Sequence, residues 1–106
     1  MSDVASAVSD TALALEGLIA RRVVVHGFVQ GVGFRYSALH MARRRGVSGW
    51  VRNRGDGAVE ALFEGERDDV EEMVRWCESG PRGAEVSDVE VVEEPPAGLS
   101  EFVILY

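Results

Sequence analysis

The spacing of apolar positions changes period several times along the chain, and each change predicts an element. Val23-Val24-Val25 is a β-branched run within residues 21–28, short enough for a buried strand. Three glycines follow in quick succession, and from Phe34 the period becomes helical, with Phe34, Ala38, Met41 and Ala42 on one stripe. Arg43, Arg44 and Arg45 occupy the last turn of that helix, where cations complement its dipole, and Gly46 ends it. Residues 47–53 and 58–64 read as two further strands, with Arg54-Gly55-Asp56-Gly57 supplying hairpin chemistry between them. Val70, Met73, Val74 and Cys77 keep the i, i+3, i+4, i+7 spacing of a second helix over 67–79, stopped by Gly80-Pro81. Residues 84–92 alternate apolar and polar, and after Pro95-Pro96 a last strand is predicted from Phe102 to Leu105.

The order β-α-β-β-α-β specifies an α+β class: a ferredoxin-like split βαβ sandwich, one antiparallel sheet with two helices on one face. In that arrangement a right-handed crossover makes the first two strands parallel, so the glycine loop and Asn53 fall at the same edge of the sheet. With one strand between them they stand about 10 Å apart laterally. The 106 residues are too few for a second core, so one domain is expected from residue 21 onward. Before it, residues 1–20 form a tail in which Val4, Val8, Ala12, Leu15 and Ile19 recur at near-helical spacing; a short amphipathic helix and a disordered segment both fit.

Charge sharpens the picture because its sign is segregated. Residues 21–54 hold eight arginines and no acid, and the rest of the chain holds three arginines against eighteen acids, so +8 and -15 sum to the net -7. An electropositive site in an otherwise acidic protein is the expectation. There is no lysine, which removes Walker-type phosphate loops, Schiff bases and lysine bases together. Cys77 is the only cysteine, which excludes an internal disulfide and suits a reducing compartment. No long apolar run or basic-flanked leader is present, so the expected location is the cytoplasm.

The chemistry concentrates in Gly27-Phe28-Val29-Gln30-Gly31-Val32-Gly33-Phe34-Arg35. Glycines let successive N–H groups converge, a helix N-terminus adds positive potential, and an arginine fork matches a phosphate. The segment Val29, Gln30, Gly31, Val32, Gly33 and Phe34 is thus a candidate anion cradle and Arg35 its cation. Asn53 fits two roles on pattern alone, a turn residue before the hairpin or an amide that positions an attacking water. No nucleophile is convincing: Cys77 lies on a core stripe, and Ser37 lacks a Ser-His-acid constellation. His26 and His40 are the only histidines, with no acid in their block to share a metal, so no metal is expected. His26 lies close enough to the cradle to tune its charge near neutral pH, and Asp56 reads as a hairpin residue.

The cradle, together with Gly49-Trp50-Val51-Arg52-Asn53, Asp56-Gly57-Ala58-Val59-Glu60 and Gly65, resembles the acylphosphatase family from Arg22 to Tyr106. The resemblance implies cofactor-free hydrolysis of the carboxyl–phosphate bond of acyl phosphates. It assigns Arg35 to the phosphoryl oxygens, Asn53 to the water and the backbone amides of 29–34 to the cradle. It also implies that a phosphate oxygen of the substrate accepts the water's proton. The partners expected are a small acyl phosphate and inorganic phosphate as product, with neither nucleic acid nor membrane, and the chain is expected to be a monomer.

The alternative from another class is an RNA- or anion-binding module without catalysis, since the same sandwich serves RNA recognition. Two features oppose it. Gly33-Phe34-Arg35 falls at a loop–helix junction rather than on a strand, and Val59-Glu60-Ala61-Leu62-Phe63 carries a Glu and one aromatic where base-stacking residues belong.

Overall fold

Strand β1 (Leu18–Phe28) feeds the glycine loop, and α1 (Phe34–Arg45), β2 (Ser48–Asn53), β3 (Val59–Glu66), α2 (Arg67–Cys77), β4 (Glu85–Glu94) and β5 (Phe102–Leu105) follow in that order. The computed structural model describes residues 17–106. Most of the proposed tail lies outside the described residues. Its last three residues, Leu18 to Ala20, instead extend β1, pairing with Glu66, Gly65 and Glu64 of β3.

The sheet order is β4-β1-β3-β2-β5. Strand β3 pairs antiparallel with both β1 and β2, which makes those two parallel with one strand between them, as expected from the crossover. The fifth strand departs from a wholly antiparallel sheet, because β5 pairs parallel with β2. Its direction follows from topology: β4 ends at one edge, and residues 95–101 carry the chain across three strands to the other edge before β5 begins.

The two helices pack on one face of the sheet. Val23 and Val25, Val51, then Val59, Ala61 and Phe63 alternate inward from the strands to meet Phe34, Ala38 and Ala42 of α1 and Val70, Met73 and Cys77 of α2. Phe63 stacks on Phe102 with ring centroids 5.8 Å apart, tying β5 to the core. Helix α1 ends where expected, with the Gly46 N–H reaching the carbonyls of Ala42 and Arg43. Helix α2 closes two residues earlier than its pattern predicts. Beyond Cys77 the N–H groups of Glu78 and Ser79 bond three residues back, to Arg75 and Trp76, which tightens the last turn.

The crossover from β4 to β5 is held by a carboxylate. Glu64 is 2% exposed, and its two oxygens accept the backbone N–H groups of Ala97 at 2.6 Å and Leu99 at 2.8 Å. Glu64→Gln points an amide donor at one of those donors and should cost about 1–3 kcal/mol, read as a lower urea midpoint. An unchanged midpoint would show that the crossover holds without this carboxylate.

The arginine-rich block is far less electropositive in space than in sequence. Arg21 pairs with Glu93, Arg22 with Glu60 and Glu94, Arg45 with Asp69, Arg52 with Glu60 and Arg54 with Asp56. Burial alone would raise the Glu60 pKa, but hydrogen bonds and charge from Arg52 and Arg22 outweigh it and hold the carboxyl below its ordinary value. Of the eight arginines in the block, only Arg35, Arg43 and Arg44 have no carboxylate partner among the described residues.

Candidate active site

Where β1 gives way to α1 the backbone is turned by Gly31 at φ 76° and Gly33 at φ 79°, left-handed angles that a side chain would strain. Gly33 also precedes the first turn of α1 and so offers that helix no side-chain cap, and the first turn carries no acid. The first rung of the helical ladder is Ser37 N–H to the Gly33 carbonyl at 3.0 Å. Among the described residues, no backbone N–H from Gln30 to Tyr36 donates to a protein acceptor outside that ladder. A curl of free donors thus meets the positive end of a helix.

These donors open on a cavity of about 250 Å³ lined by Val29, Gly31, Gly33, Phe34, Arg35, Tyr36 and Asn53. Arg35, in the first turn of α1, is the one arginine in that lining. Its Cζ sits 5.3 Å from the ring centroid of Tyr106, a cation–π contact that steadies the guanidinium without neutralising it. Asn53 enters from the last position of β2, paired with Val59 across the hairpin. Phe34 is buried, and its ring lies 4.9 Å from that of Trp76, so α2 braces the start of α1 beside the cavity.

Two of the six cradle residues stand apart from the lining. Val32 packs toward the core. The Gln30 side chain turns away to the β2–β3 hairpin, where Nε2 donates to the carbonyls of Arg54 at 2.8 Å and Ala58 at 3.0 Å. What these two can offer an anion is their backbone N–H.

Tyr36 lines the cavity and Tyr106 contacts Arg35, and neither was singled out in sequence. Helical side chains lean toward the N-terminus, which aims Tyr36 back over the glycine loop, a signal the helix prediction already contained. Tyr106 arrives from the far end of the chain, and no local pattern announces it.

The remaining titratable candidates face elsewhere. His26 Nε2 lies 2.5 Å from a Glu90 oxygen across the β1–β4 pair, outside the cavity lining. Asp56 accepts the Ala58 N–H at 3.0 Å and pairs with Arg54 at 2.9 Å; that backbone bond first, and the arginine charge second, hold its carboxyl below the ordinary range. It is a hairpin residue and does not line the cavity. Burial pushes the Cys77 thiol up to about 12, so it carries no thiolate at neutral pH. Among the described residues no group of His, Cys, Asp and Glu is arranged to hold a metal ion.

Residues 21–104 match the acylphosphatase family, nearly the whole described chain. The chain belongs to that family. It is 59% identical over 87 residues to an acylphosphatase of Trichormus variabilis, covering 82% of this chain and 86% of the relative. The acylphosphatase structure from Bacillus subtilis superposes with a TM-score of 0.79 at 39% identity, covering 83% of this chain and 99% of that one. The acylphosphatase of Coxiella burnetii gives a TM-score of 0.81 at 36% identity, over 85% of this chain and 95% of that one. The enzyme is an acylphosphatase, a hydrolase that splits acyl phosphates into carboxylate and inorganic phosphate. No helix among the described residues is long and apolar enough to cross a membrane.

Proposed function

We propose that the backbone N–H groups of residues 29–34 and the Arg35 guanidinium bind the phosphoryl group of an acyl phosphate, and that Asn53 orients the attacking water. The observation that carries this reading is the convergence on one cavity of N–H donors without protein acceptors, an arginine without a carboxylate partner and an amide able to donate and accept at once.

The reaction runs as follows. The water oxygen bonds to phosphorus as the bond from phosphorus to the acyl oxygen breaks, and the carboxylate leaves with the electron pair. The water's proton passes to a phosphoryl oxygen of the substrate, since neither Asp56 nor any other acid lines the cavity. The carboxylate is a good leaving group and the transition state is loose, so charge neutralisation and positioning supply most of the catalysis.

The enzyme requires no metal or cofactor, acts as a cytoplasmic monomer and binds no nucleic acid. The single cysteine is buried. Arg22 and Arg52 on the sheet face opposite the helices are paired to Glu60, which weakens that face as a phosphate-backbone surface. Hydrolysis of benzoyl phosphate by the purified protein should proceed at the same rate in excess EDTA as without it. A loss of activity reversed by added Mg²⁺ would replace this mechanism with a metal-assisted one.

A further inference from the structure

The cradle follows β1 and Asn53 ends β2, and in the sheet those two strands are joined through β3, which lies between them. One side chain spans the gap directly. The carboxamide nitrogen of Gln30 bonds the carbonyls of Arg54 and Ala58, the two residues that close the hairpin mouth immediately after Asn53. Two carbonyl acceptors can be met only by the NH₂ end of the amide, so the side chain's orientation is set by its partners. The same mouth is closed by the Arg54 N–H bonding to Ala58 O at 2.8 Å, and the Gly57 N–H reaches Arg54 O at 3.2 Å. The hairpin is therefore complete without Gln30. Its side chain is not needed to satisfy those carbonyls, and what it adds is a tie between the anion loop and the strand end that carries Asn53.

We infer that Gln30 is a positioning residue for the hydrolytic step: its side chain fixes the distance between the bound phosphoryl group and Asn53, while its backbone N–H belongs to the cradle. The inference rests on the roles given above to Arg35 and Asn53. A displacement on the order of 1 Å between reacting groups is enough to cost up to about a hundredfold in rate, whereas phosphate binding through the cradle and Arg35 needs no such register.

The test is a double-mutant cycle with Gln30→Leu and Asn53→Ala, read as kcat for benzoyl phosphate and as competitive inhibition by inorganic phosphate. Gln30→Met serves if leucine disturbs the packing. Gln30→Leu should lower kcat by about ten- to a hundredfold with phosphate inhibition changed less than about twofold, and should have almost no further effect on kcat once Asn53 is alanine. An unchanged kcat, an equal loss in both backgrounds, or a parallel loss of phosphate affinity would overturn the positioning role. If Asn53→Ala alone retained full kcat, the fault would lie in the role given to Asn53, and the inference would fall with it.

Discussion

Arg35→Ala is expected to abolish turnover and phosphate binding together. The guanidinium is the cavity's one arginine, and in the proposed reaction it would meet the phosphoryl oxygens of substrate, transition state and product alike. Its loss should lower kcat/KM for benzoyl phosphate by about 10³-fold or more, the range seen when a charged group that stabilises a transferring phosphoryl is removed. Competitive inhibition by inorganic phosphate should vanish over the same concentration range. The fold should survive, because Arg35 has no ion-pair partner to orphan among the described residues and keeps only its contact with Tyr106. A folded Arg35→Ala enzyme with undiminished phosphate inhibition would move the anion site elsewhere.

Asn53→Ala should separate binding from chemistry. On the proposed role the amide acts on the water and not on the bound phosphoryl group, so kcat should fall by about 10²- to 10³-fold while phosphate inhibition stays within about twofold of the parent. A change of this pattern into a shared loss of kcat and phosphate affinity would make Asn53 part of the cradle. Its position allows the distinction to be drawn cleanly: it ends β2, with Val59 opposite, and the hairpin beyond it is closed by backbone bonds that the substitution leaves intact.

Each substitution removes a group whose proposed partner is the substrate or its water, whereas the arginine next to Asn53 in sequence is engaged within the protein. Arg54 illustrates the difference. It follows Asn53 directly, yet its charge is taken up by Asp56 in the same hairpin. Positive charge at the cavity therefore comes from Arg35 and the backbone N–H groups, and net charge along the arginine block is a poor guide to it.

The sequence by itself determined the local structure and where within it the candidate chemistry lies. A β-branched run, two stripes of helical period and the glycine and proline punctuation placed every described element, because these signals act between residues a few positions apart. The candidate cradle and Arg35 could be named for the same reason: loop, helix start and cation are contiguous. Asn53 was legible as a candidate because the right-handed crossover is nearly obligatory and brings two parallel strand ends to one edge.

Tertiary structure alone decided the rest, through contacts between segments distant in the chain. The start of β1 at Leu18 follows from the length of β3 beside it, since Leu18, Ile19 and Ala20 join the strand when a partner supplies their hydrogen bonds. The parallel seating of β5 depends on a crossover held by Glu64, whose bonds to Ala97 and Leu99 no local pattern encodes. Arg22 is neutralised by Glu94, 72 positions away, and Gln30 reaches Ala58, 28 positions away. Which arginine at the cavity stays without a carboxylate partner among the described residues, and which side chain ties the glycine loop to the hairpin after Asn53, are consequences of strand order and register, and those become physical facts only once the sheet has closed.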